Sequence, residues 1–259
     1  MIRRLLGGVR RRLWPSPMDH RQYEKMSIQD TFRKIYRNQV WGKNGEQFYS
    51  GPGSYGPASD LYCAAVTKFI QENGIRSVVD CGCGDFSVGR RIVEATDVQY
   101  VGVDVVPELI QHHRQKFQNE RVSFKCANII TDELPVAELY LVRQVFQHLT
   151  NDEIAKVLER MSCVPKVLIT EDFPLQPTSF NHDMTHGPEV RSDFGSGVYV
   201  DQPPFSLQVK EIARFQLSDT CFLRTVLVEN AGVANRGSDL AVDLPKPIEP
   251  ETRLTEFRT

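Results

Sequence analysis

The sequence predicts a doubly wound α/β fold: a mostly parallel seven-stranded sheet that ends in a C-terminal antiparallel hairpin and is preceded by an N-terminal helical extension. Three observations predict it. After Gly74, short β-rich runs alternate with amphipathic helical stretches, the pattern of a parallel sheet covered on both faces. The first run passes directly into a glycine-bearing turn, Asp80-Cys81-Gly82-Cys83-Gly84-Asp85. The last two runs are joined only by Ser218-Asp219-Thr220, too short a connection for anything but an antiparallel pair.

The elements follow in order. Residues 1–17 carry Arg3, Arg4, Arg10, Arg11 and Arg12 and no acid, so the formal charge of -2 becomes -7 for the rest of the chain. Ile2, Leu5, Leu6, Val9 and Leu13 stand near helical spacing. Residues 2–14 therefore read either as a basic amphipathic helix in peripheral contact with an anionic membrane or as a disordered arm. Residues 18–74 read as helix, loop, helix: YEKMSIQDTFRKIYRNQVW has 3.6-residue spacing, GKNGEQFYSGPGSYGP is a glycine-rich loop, and SDLYCAAVTKFIQENG opens at a Ser59 or Asp60 cap and closes at Gly74. The main domain is expected at 75–231, with strands at 77–82, 99–105, 122–128, 138–146 and 166–173. Between them lie helices near 88–95, from Pro107 at N1 to about 117, and at 151–161 behind a Thr150 or Asn151 cap. The hairpin strands are 209–217 and 221–230. The stretch 232–259, rich in proline and charge, reads as a loosely attached tail.

Composition narrows the classes. With 259 residues, 41% hydrophobic and 25% charged, the chain is expected to be one globular domain with decorations. No run of about 18 uncharged apolar residues is present to span a bilayer. The acidic body offers no surface for tracking nucleic-acid phosphates. Six cysteines without a C-x-x-C pair argue against zinc and for reduced thiols in a cytoplasmic protein, held at the inner membrane surface if residues 2–14 engage it.

The chemistry concentrates at the first turn. Gly82 and Gly84 let a ligand approach backbone N–H groups at the start of the next helix, as a nucleotide-type ligand requires. Asp104 ends the second strand, 24 residues beyond Asp80, where an acid on such a sheet accepts hydrogen bonds from ribose hydroxyls. A dinucleotide fingerprint would need a third glycine, and Ser87 stands there instead, which disfavours an NAD-dependent dehydrogenase.

In VVDCGCGDF, followed by Asp104 and the terminal hairpin, the sequence resembles the class I S-adenosylmethionine-dependent methyltransferases, which have a Rossmann-like fold. The likeness covers Ser77 to Asn230. It implies S-adenosyl-L-methionine as cofactor, with Asp80 and the Gly82-Cys83-Gly84 backbone holding its methionine part. It further implies Asp104 and Val105 at the ribose and adenine edge, Asn128 and Ile129 at the adenine, and Arg143 beside the sulfonium and amino group. IYRNQVWGKNGEQFYSGPGSYG also resembles a stretch found in methyltransferases of bacterial polysaccharide gene neighbourhoods. Ser50, Gly51, Gly53 and Ser54 there suit a lid over the cofactor's carboxylate.

The same resemblance puts acceptor residues after the fourth strand and in segment 174–206, which at 33 residues is unusually long for a compact domain. Asn181, His182, Asp183, His186, Arg191, Asp193, Tyr199, Asp201 and Phe205 suit a small-molecule or glycan acceptor with many hydroxyls. A hydroxyl acceptor needs a proton acceptor. The candidates are His182 or His186, oriented by Asp183, and His148. Gln144-x-x-Gln147-His148 is similar to a magnesium-binding Glu-x-x-Glu-His arrangement, but neutral glutamines make poor ligands for a hard cation, so no metal is expected. The expected activity is O-methylation of a sugar, glycan or other small hydroxylated acceptor. The alternatives are a non-catalytic binding module or methylation of a non-glycan small molecule or protein.

Overall fold

The computed structural model describes residues 22–230 and residue 233. The expectations for the basic segment 2–14 and, residue 233 apart, for 232–259 lie outside them. Helix α1 (Ile28–Arg37) starts where Ser27 accepts a hydrogen bond from the Asp30 N–H, with Asp30 in its first turn and Lys34 and Arg37 in its last. Helix α2 (Pro57–Glu72) begins two residues before the expected Ser59 or Asp60 cap. Pro57 supplies the helical φ at N1 behind Gly56, while Ser59 bonds back to the Gly56 carbonyl and Asp60 pairs with Arg91.

The sheet contains β1 (Ser77–Cys81), β2 (Gln99–Asp104), β3 (Val122–Cys126), β4 (Leu139–Arg143), β5 (Lys166–Pro174), β6 (Lys210–Gln216) and β7 (Cys221–Glu229). Between them run α3 (Ser87–Glu94), α4 (Pro107–Phe117) and α5 (Asn151–Met161). The capping box of Thr150 and Glu153 starts α5. Strand order is β3-β2-β1-β4-β5-β7-β6, with β7 antiparallel to both β5 and β6. The sheet is therefore seven-stranded and mostly parallel, with a C-terminal antiparallel hairpin.

Strands buried on both faces are apolar at nearly every position. Val78, Tyr100, Phe124 and Leu141 join α2, α3 and α4 in one core, whereas Val79, Val103, Val142 and Ile169 join α5 in the other. Tyr62, Val66 and Ile70 of α2 sit in the first core, so the second N-terminal helix packs as part of the sheet's cover. Among the described residues, no helix is long and apolar enough to cross a membrane. All six cysteines are free.

Candidate functional site

The carboxyl ends of β1, β2, β4 and β5 open into one cavity of about 970 Å³. Such an end, at the point where strand order reverses, is where doubly wound sheets bind ligands. Asp80, the next-to-last residue of β1, accepts a 2.5 Å hydrogen bond from the Tyr100 hydroxyl. The turn after it folds across the sheet, because the Gly82 and Cys83 N–H groups both donate to the Val103 carbonyl. Gly82 has φ +82°, and a Cβ there would lie 2.5 Å from Val145 Cγ2. Only glycine fits.

Asp104 ends β2 with its carboxylate held by two backbone donors, Gly84 N–H at 3.2 Å and Val106 N–H at 3.1 Å. Burial pushes Asp80 and Asp104 up to about 6. For Asp80 the Tyr100 hydrogen bond and Arg143 oppose the rise, and for Asp104 the backbone donors do.

The glycine-rich segment before α2 lies over this turn. Asp85 and Ser50 bond reciprocally: Ser50 N–H donates to Asp85 Oδ2 at 2.8 Å, and Asp85 N–H donates to Ser50 Oγ at 2.7 Å. Arg143, at the end of β4, donates to the Gly53 carbonyl and stacks on Tyr62 at 5.0 Å. Its Nε is buried without a partner. Ser54 is buried at the wall, its carbonyl accepting from Arg91. Val105, Asn128 and Ile129 also line the cavity, with the Asn128 side-chain oxygen taken by the Ile130 N–H. All ten residues expected at the cofactor thus border one cavity.

The cavity fits S-adenosylmethionine. Two buried carboxylates suit a ligand that carries positive charge and ribose hydroxyls, and the unpartnered Arg143 Nε–H, a donor, would suit its carboxylate rather than the sulfonium or amino group the sequence implies. Asp80, Gly82, Cys83, Gly84, Asp104 and Arg143 would hold it. Asp104→Ala is expected to weaken cofactor affinity by about 10 to 100-fold, the loss of charge-assisted hydrogen bonds worth about 1.5–3 kcal/mol. In the parent, calorimetric affinity for S-adenosylmethionine should fall as pH drops below 6, where Asp80 and Asp104 take up protons. An affinity flat from pH 5 to 8 would overturn both assignments.

The acceptor side differs from expectation. Of the four candidate residues for proton transfer, only His148 lines the cavity. His182 is exposed, stacked on Phe194 at 5.5 Å. Asp183 orients no histidine: its Oδ1 accepts the Asn151 and Met184 N–H groups and so anchors the start of α5. His186 bridges Glu153 at 2.9 Å and the Met26 carbonyl at 3.1 Å. The physical reason is backbone satisfaction. An irregular segment of this length has its own N–H and C=O groups to pair, and its polar side chains are spent on them.

Other residues of the segment follow suit. Asn181 binds the backbone of Tyr199 and Pro203, Asp201 pairs with Arg224 at 2.8 Å, and Tyr199 packs between Phe173 and Phe180. Pro188, Val190 and Asp193 alone bring segment 174–206 to the cavity.

His186 has a consequence for stability. With both nitrogens facing acceptors its pKa is raised, chiefly by the Glu153 hydrogen bond. A raised histidine contributes stability in full below about pH 6.5, lost as pH climbs through the higher folded-state value. His186→Ala should lower stability by about 1–2 kcal/mol at pH 6, less at pH 8, with turnover unchanged. Chemical denaturation at the two pH values checks this.

His148 is 8% exposed and donates Nδ1–H to the Glu189 carbonyl at 2.9 Å, so Nε2 carries the lone pair and accepts a long 3.4 Å contact from the Gln147 amide. Burial pushes its pKa down to about 4, so the ring is neutral. Trp41 packs against it at a 42° tilt, ring centroids 5.2 Å apart, and donates to the Pro188 carbonyl, joining the N-terminal segment to 174–206 across the cavity. The sequence reading assigned no role at the cavity to Phe32, Tyr36, Trp41 or Asp172, all of which line it. Asp172, two residues before the end of β5, accepts both of its short hydrogen bonds from Gln144 at 2.9 and 3.0 Å, and is pushed up to about 6 by burial. Gln144 itself is held at φ +53°, a conformation costly for a non-glycine residue and typical of functional sites. The usable signals were aromatic density at 32–55 and the acid near a strand's carboxyl end. Among the described residues, no group of three or more His, Cys, Asp or Glu is placed to hold a metal ion.

Comparison with known proteins agrees with this geometry. Residues 78–166 match the family model for a methyltransferase domain. The fold is similar to that of the N-methyltransferase NodS from Bradyrhizobium japonicum WM9 in complex with S-adenosyl-L-homocysteine. Identity is 12%, over 77% of this chain and 99% of that one, with a TM-score of 0.54. It is also similar to magnesium protoporphyrin IX methyltransferase from Synechocystis PCC 6803 with bound S-adenosyl-L-homocysteine. There identity is 10%, over 78% and 98%, with a TM-score of 0.51. No curated protein sequence matches the chain. Together with the cavity, these findings give residues 78–166 as a methyltransferase domain, in an enzyme whose cofactor is S-adenosylmethionine.

Proposed function

We propose that the enzyme methylates a hydroxyl of a small polyhydroxylated acceptor, a sugar or glycan unit, with His148 as proton acceptor. The observation that carries this reading is the neutral His148 at the cavity wall: Nδ1–H is fixed on the Glu189 carbonyl, which leaves Nε2 as the basic nitrogen, with a long 3.4 Å contact to the Gln147 amide. S-adenosylmethionine supplies the methyl group from a sulfonium when bound. The protein's part is orientation, exclusion of water and removal of one proton. Trp41 and Tyr49 offer aromatic faces for stacking on a sugar ring, and Gln144, Asp172 and Asp193 offer groups that read hydroxyls. A weak base suffices. As the acceptor oxygen shares its lone pair with the methyl carbon its proton becomes strongly acidic, and a neutral imidazole is ready for it at any pH above about 4.

Two carboxylates on the acceptor side also suit an ammonium group, so an amine acceptor is the second reading. Radiolabelled methyl transfer to sugars, sugar phosphates and amino sugars, with the product located by NMR, separates the two. An O-methyl ether supports the first reading, and an N-methyl product with no ether overturns it.

A further inference from the structure

Helix α1 is a wall between two surfaces. Its inner face lines the cavity with Ile28, Phe32 and Tyr36. Its outer face carries Arg33, Lys34 and Arg37, joined by Lys25, around an open groove of about 600 Å³. Asn38, which caps the helix, is the residue that borders both.

The groove gathers four cations against two carboxylates, Asp30 in its lining and Glu108 beside Arg33 and Arg37. Arg33 is committed to Glu108 at 2.9 Å. Lys34 lies 5.4 Å over the Tyr23 ring, a contact that holds its stem while leaving its ammonium able to meet an anion. Arg37 and Lys25 are exposed and make no ion pair among the described residues. Converging cations of this kind raise the local potential and favour a compact anion, and a guanidinium beside an ammonium matches the oxygens of a phosphate.

We propose that the groove binds the phosphate or diphosphate group of the acceptor, whose methylated part lies in the cavity beside His148. The acceptor is then a phosphate ester rather than a neutral glycan. This rests on the proposed function, since it assigns the far end of the same acceptor. Lys34, Arg37 and Lys25 hold the anion, and the rest of the molecule turns inward past Asn38.

The test uses the full chain and two probes, inorganic pyrophosphate by calorimetry and phosphatidylcholine vesicles containing phosphatidylglycerol by sedimentation. The variant is Lys34→Glu with Arg37→Glu, and Arg37→Gln replaces it if the pair does not fold. S-adenosylhomocysteine titration reports folding. Pyrophosphate binding that weakens by about tenfold or more in the variant, at unchanged S-adenosylhomocysteine affinity, supports the proposal with a soluble phosphate ester. Loss of vesicle binding alone supports it with the phosphate on a lipid. The arginines at 3, 4 and 10–12 are unchanged in the variant, so they cannot account for either loss. Binding of both probes equal to the parent's, or binding of neither to the parent, overturns it. None of these readouts depends on which acceptor atom is methylated, so failure here is distinct from failure of the hydroxyl reading.

Discussion

Replacing His148 with asparagine should lower kcat by about 10² to 10⁴-fold, the range removed with a general base, while leaving S-adenosylmethionine affinity within a factor of about three. Asparagine keeps an N–H for the Glu189 carbonyl and a planar group against Trp41, so the wall survives, but it offers no basic nitrogen in place of Nε2. A melting temperature close to the parent's certifies that comparison. The parent's kcat at saturating cofactor should hold as pH falls to about 5 and drop nearer 4, where His148 protonates. A variant rate equal to the parent's would remove His148 from the chemistry and move proton acceptance to Asp172, a buried carboxylate at the same cavity.

Arg191→Met should cost about 3–5 kcal/mol, because three buried acceptors lose a charged donor and each such loss costs about 1–3 kcal/mol. Arg191 is fully buried and donates to Asn151 Oδ1 at 2.7 Å, the His182 carbonyl at 2.6 Å and the Leu149 carbonyl at 2.6 Å. It thereby ties segment 174–206 to the start of α5 and to the turn that carries His148. Methionine fills much of the volume and leaves three acceptors without donors inside the protein. For a chain of this size the loss corresponds to a fall in Tm of roughly 10 °C. Hydrogen exchange should locate it in 174–206 first. A change below about 1 kcal/mol would mean that the segment is held by its apolar contacts instead, such as Tyr199 between Phe173 and Phe180.

Sheet and cofactor turn were legible because their determinants are local. Periodicity separates strands from helices, the Ser218-Asp219-Thr220 connection forces an antiparallel pair, and the tight turn needs Gly82 and Gly84 where a Cβ would collide with Val145 and Ser50. Asp80 and Asp104 follow from strand ends on the same edge of a parallel sheet.

The acceptor side was not legible in this way. His148, His182 and His186 look equivalent in sequence, and what distinguishes them is the path of a segment with no periodicity. That path is decided by Arg191, Asn181 and Asp183 satisfying backbone groups far along the chain. The far wall depends on the packing of α1 and Trp41 against residues more than a hundred positions away. By itself, then, the sequence determined the order of strands and helices and the cofactor turn, because short-range sterics and hydrogen bonding settle both. The tertiary structure alone decided which side chains face the acceptor, because burial and long-range hydrogen bonding choose among residues of the same chemical type.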